Sequence, residues 1–72
     1  MYATSLRNAL HTRRFTIRTV STSGWEVCDE NDGGVVKHVF YTDWHRVERA
    51  LAMFRMEAET LRAVGWIDEP TI

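Results

Sequence analysis

Seven residues toward the C-terminus, Trp44, Val47, Leu51, Phe54, Ala58, Leu61 and Gly65, recur at spacings of three and four. That interval sets side chains on one side of an α-helix. An apolar stripe this long must lie against another element, and only the residues before it can supply one. Thr42 or Asp43 offers a side-chain oxygen to the orphan amides of the first turn, and Gly65 can adopt the left-handed conformation that ends a helix. A helix is therefore predicted over 43–64. Residues 66–72 form a tail in which Trp66 and Ile67 fold back, with Asp68, Glu69 and Pro70 beyond them.

The preceding segment has a period of two. Phe15 and Ile17 alternate with Arg14, Thr16 and Arg18, and Trp25 and Val27 alternate with Glu26 and Cys28, the pattern of strands with one buried face. Ser21 to Gly24 carries turn chemistry, and Glu30, Asn31, Asp32, Gly33 and Gly34 form a stronger turn signal because Asn, Asp and Gly tolerate positive φ. Val35 to Tyr41 is the third strand. Its register is open: either Val35, Val39 and Tyr41 share a face with Lys37, or Val36 and Phe40 share one with His38.

Short connections make these a three-stranded antiparallel β-meander over 14–41, followed by the long helix, an α+β domain of order β-β-β-α. The expected core joins Phe15, Ile17, Trp25 and Val27 to Val47, Leu51, Phe54, Ala58 and Leu61. Residues 1–12 hold Leu6 and Leu10 at helical spacing. Two leucines do not sustain a helix, and the segment is predicted to be a loose N-terminal arm.

At 72 residues, with 44% hydrophobic and 26% charged side chains, the chain makes one folded domain. A core below roughly 70–80 residues usually leans on a disulfide, a metal or a partner. Cys28 is the only cysteine, which removes an internal disulfide and a cysteine-rich zinc site. Self-association as a homodimer is the support that remains. The sequence holds neither a run of about 18 apolar residues nor an export signal at its start, and a reducing cytoplasm is the expected compartment.

The chemical leads are sparse. His11, His38 and His45 lack the spacing of a metal site, so neither metal nor cofactor is expected. Cys28 lies mid-strand beside Glu26 and Asp29, a field opposed to a reactive thiolate. The carboxylates cluster in a turn or on the helix surface, and phosphate-loop and hydrolase motifs are absent, so the chain is not read as an enzyme. The net charge is −1, but Arg7, Arg13, Arg14 and Arg18 precede every acidic residue. They either pair with the acidic hairpin or contact nucleic acid.

The run Tyr41, Thr42, Asp43, Trp44, His45, Arg46, Val47, Glu48, Arg49, Ala50, Leu51, preceded by Gly24, Trp25, Glu26 and Val27, resembles a pattern in small uncharacterised bacterial proteins with no assigned activity. The resemblance spans about residues 14 to 66. It implies a bacterial cytoplasmic origin and carries over no functional residue.

The expected function is that of a non-enzymatic protein-interaction or regulatory module acting as a homodimer. Its contact is expected on the outer sheet face around Cys28 or on the second helix face around Met53 and Met56. The alternative is weak nucleic-acid binding through Arg7, Arg13, Arg14 and Arg18. A third reading is a subunit that lends side chains to an active site shared between chains.

Overall fold

The structure is a computed structural model and describes Met1 to Glu69; the last residues of the expected tail, 70–72, lie outside the described residues. Five strands and one helix follow in the order β1 (Tyr2–Asn8), β2 (His11–Ser21), β3 (Gly24–Asn31), β4 (Gly34–Tyr41), α1 (Trp44–Ala63) and β5 (Ile67–Asp68). The strands form one antiparallel sheet ordered β4-β3-β2-β1-β5. The α+β class with an antiparallel sheet and one helix stands. The sheet, however, has four main strands and a minor one where three were expected.

The added strand is the segment predicted to be a loose arm. β1 pairs with β2 from Tyr2 opposite Ile17 to Asn8 opposite His11, and Leu6 is wholly buried. Tyr2, Thr4 and Leu6 face the helix in alternation. Leu10, the other half of the apparent helical pair, is 95% exposed at the tip of the hairpin. The connection is the two-residue loop Ala9 and Leu10, with Ala9 at φ +54°. A positive φ at the first loop position suits the twist of a tight hairpin, but alanine gives no sign of it in the sequence.

The later turns follow their chemistry. Asp32 and Gly33 both take positive φ between β3 and β4, the requirement of a two-residue type I′ hairpin. Asp32 also fastens this turn to β2: its Oδ1 accepts from the Thr12 amide at 2.9 Å, and its own amide donates to the Thr12 carbonyl at 2.9 Å. Irregularities between Thr19 and Ser21 and between Asp29 and Glu30 shift the register locally. The second shift settles the third-strand ambiguity in two parts. Lys37, Val39 and Tyr41 face the helix, opposite Asp29, Val27 and Trp25, while Val35 stands opposite Glu30 on the other face.

Asp43 is the N-cap of α1 and accepts from the His45 amide at 3.0 Å. At the other end the Trp66 amide donates to the Leu61 carbonyl and the Gly65 amide to the Arg62 carbonyl, with Gly65 at φ +108°. This pairing is a Schellman motif. Leu6, Phe15, Ile17, Val27, Val47, Ala50, Phe54 and Ala58 form the buried core. Tyr2, Trp25, Tyr41, Leu51, Leu61 and Trp66 flank it, half-buried. Phe54 is its aromatic centre, 4.8 Å from the Phe15 ring. Among the described residues no helix is long and apolar enough to cross a membrane.

Candidate interaction surfaces around the edge strand

Because strand side chains alternate, the face away from α1 is set by the same register. On it Arg18, Glu26 and His38 form one connected group. Arg18 Nε donates to Glu26 Oε1 at 2.8 Å, and His38 Nε2 lies 2.9 Å from Glu26 Oε2. The hydrogen bond with His38, reinforced by that from Arg18, holds the Glu26 carboxyl below the usual glutamate range. The next row is Thr16, Cys28 and His38. Burial, followed by the charges of Glu30, Glu26 and Asp29, pushes the Cys28 thiol up. A thiol so placed is a poor nucleophile at neutral pH.

Phe40 crosses from β4 onto Gly24. A Cβ on that glycine would stand 2.1 Å from Phe40 Cζ, so the missing side chain at Gly24 makes the seat for the ring.

The four N-terminal arginines do not share a surface. Arg7, Arg14 and Arg18 alternate onto the open face, whereas Arg13 points to the helix side, where its side chain is largely covered. Arg13 Nη2 reaches both Asp29 oxygens at 3.3 Å, Nη1 lies 3.6 Å from Glu57 Oε1, and the guanidinium stands 5.0 Å from the Phe15 ring centre. Arg13 and Arg18 are thus engaged by acidic partners within the chain. The histidines are separated: His11 lies beside Asp32, His38 beside Glu26 and His45 beside Glu48. Among the described residues no three His, Cys, Asp or Glu side chains converge as a metal site.

The proposed contact residues also separate. Cys28 is half-buried on the open face, while Met53 and Met56 project from α1 on the opposite side of the sheet. Met53 borders a groove between α1 and β4 of about 240 Å³, lined by Lys37, Tyr41, Arg46, Arg49, Ala50 and Met53. A second cavity, of about 220 Å³, shares Lys37, Ala50 and Met53 and extends to the Arg13, Asp29 and Glu57 group. Sequence reasoning placed Lys37 with the N-terminal arginines and did not join it to Arg46 and Arg49. Arg46, Arg49, Ala50 and Met53 do recur at spacings of three and four, one step beside the apolar stripe, and that was the available signal.

β4 closes the sheet on this side, with no strand beyond it among the described residues. Val35, Val36 and Phe40 are 63%, 64% and 55% exposed along it. Compared with protein-family models, curated proteins and solved structures, the chain matches none.

Proposed function

We propose that the protein is a small non-enzymatic interaction module that works as a homodimer, with β4 of each copy pairing edge to edge. The observation that carries this reading is the eight-residue edge strand, without a neighbour on its outer side among the described residues, with Val35, Val36 and Phe40 exposed along it. A long apolar edge is a template for another strand, and proteins that do not use such an edge usually blunt it with charge, proline or a bulge. β4 carries only Lys37, which faces the helix side, and a bulge at its first residues. A two-fold axis perpendicular to the sheet would make the contact self-complementary and extend five strands to ten. A core of eight buried residues is small, and burying the valines of two copies adds apolar contact where one chain lacks it.

Light scattering coupled to size exclusion tests the proposal at tens of micromolar, a concentration that populates a contact of modest affinity. The expected mass is that of two chains. Val36→Lys is expected to give one chain with unchanged far-UV circular dichroism, because an edge lysine opposes pairing without touching the core. A monomeric wild-type protein, or a dimer indifferent to Val36→Lys, overturns it.

A further inference from the structure

We infer that the groove between β4 and α1 is an anion site that takes a phosphate group, held by Lys37, Arg46 and Arg49 beside the Tyr41 ring. The three cations come from two elements and line one groove of about 240 Å³. None of them makes an ion pair among the described residues, whereas Arg13, Arg18 and Arg62 each pair with a carboxylate.

The carboxylates that border the groove make other contacts, Glu57 lying 3.6 Å from Arg13. Asp29, directly opposite Lys37 in the sheet, holds Arg13, and Asp43 caps the helix through the His45 amide. Arg46 and Arg49 also occupy the first two turns of α1, where the helix dipole is positive and the first turn holds no acidic residue. Cations are disfavoured at that end. Three like charges that line one groove without an ion pair of their own among the described residues repel one another, and an anion between them reduces the repulsion. Arginine and lysine donors suit a phosphate in particular, the guanidinium offering two parallel N–H groups and the ammonium a compact charge. Tyr41, half-buried at the groove wall, supplies an aromatic surface where a base attached to that phosphate can rest.

The site differs from a nucleic-acid surface built on the N-terminal arginines, since none of those four lines it. It does not depend on pairing of β4, because Lys37 and Tyr41 face the helix side and not the edge.

Chemical-shift titration of the whole chain with sodium pyrophosphate, and separately with a twelve-residue oligothymidine, both at low salt, tests the inference. The amides of Lys37, Tyr41, Arg46 and Arg49 are expected to move with at least one probe. A response to pyrophosphate alone assigns the site to a free phosphate, and tighter binding of the oligonucleotide assigns it to a phosphodiester chain. Each of Arg46→Gln and Arg49→Gln is expected to weaken binding about tenfold and to flatten its salt dependence by about one charge. Arg7→Gln combined with Arg55→Gln removes twice the charge of either variant elsewhere and is expected to leave the affinity within about twofold. Silence at the groove amides with both probes overturns the inference. So does an equal loss from the control pair, which would show a general charge effect.

Discussion

The two edges of the sheet are finished in opposite ways. On one side β1 is covered by β5, with Leu6 opposite Asp68 and Arg7 opposite Ile67, and the Glu69 amide donates to the Ser5 carbonyl at 2.8 Å. Arg62, in the last turn of α1, ties this strand to the helix through Asp68, at 3.0 and 3.1 Å, and pairs within the helix with Glu59 at 2.8 Å. On the other side β4 ends the sheet with valines and a phenylalanine in solvent and a cationic groove behind it. The β5 side ties its side chains into the fold through Arg62 and Asp68, whereas the β4 side leaves Val35 and Val36 exposed. Contacts that hold a small domain together are thus kept apart from groups free to meet something else.

The sharpest way to break the contrast is to empty the closed edge. Leu6→Ala removes a wholly buried side chain that fixes β1 under the helix. Such truncations cost about 2–5 kcal/mol, comparable with the roughly 3–5 kcal/mol that a core of this size yields. Urea denaturation is expected to find this variant largely unfolded at 25 °C. A loss below about 1 kcal/mol would mean that β1 is a removable arm after all.

Gly65→Ala acts at the same end with a smaller effect. The φ of +108° at this residue lets the chain reverse from α1 into β5, and an L side chain there is strained by about 1–2 kcal/mol. The lower unfolding midpoint should be accompanied by faster hydrogen exchange at the Trp66 and Glu69 amides, which close the reversal. Unchanged exchange at those two amides would separate the helix terminus from the strand it delivers.

The expected loss at the open edge is of another kind. Val36→Lys leaves the core intact, and its own effect on the fold is expected within about 0.5 kcal/mol. What changes is mass action: the wild-type melting temperature is expected to rise with protein concentration, and that of the variant to stay constant. Equal, concentration-independent melting of both proteins would make β4 as inert as the covered edge.

The same contrast explains what could be read from the sequence. The helix was legible because a three-four repeat over five turns has no competing explanation, and Asp32 with Gly33 marked a turn by its own chemistry. β1 was not. Its alternation of Tyr2, Thr4 and Leu6 is interrupted by small residues, its hairpin turns on Ala9 and not on a glycine or asparagine, and Leu6 with Leu10 imitates a helical pair. The helix stripe was read one residue off centre, since Ala50 lies deeper than Leu51. The site was less legible than the fold, because function at an edge depends on which neighbours a side chain lacks. Arg13 and Arg14 are adjacent in sequence and fall on opposite faces, one clasped by Asp29 and Glu57 and the other exposed. Lys37 and Arg46 are joined only when β4 and α1 are laid side by side.

Acid should sharpen the comparison by the smallest margin, through Glu26. Its carboxylate links β2 to the edge strand by accepting from Arg18 and lying against His38, and these contacts lower its folded pKa. A group whose folded pKa lies below its unfolded value contributes stability that is fully present above the unfolded value, about 4.3 for glutamate, and is lost as pH falls through the folded value. Acidification below that range should therefore weaken the side-chain link to β4 by a small margin. Asp32 has the same sign, its carboxyl lowered first by the Thr12 amide and then by His11, but it fastens the β3–β4 turn to β2 and not the length of the edge. Exchange rates of the β4 amides, measured from pH 6 down to pH 3 and corrected for intrinsic rates, should rise in the wild-type protein relative to those of β1. Glu26→Gln should raise them already at pH 6 and flatten the dependence, whereas Asp32→Asn should act mainly at Asp32 and Thr12. Parallel pH profiles for wild type and Glu26→Gln would show that the open edge is held by its backbone ladder alone.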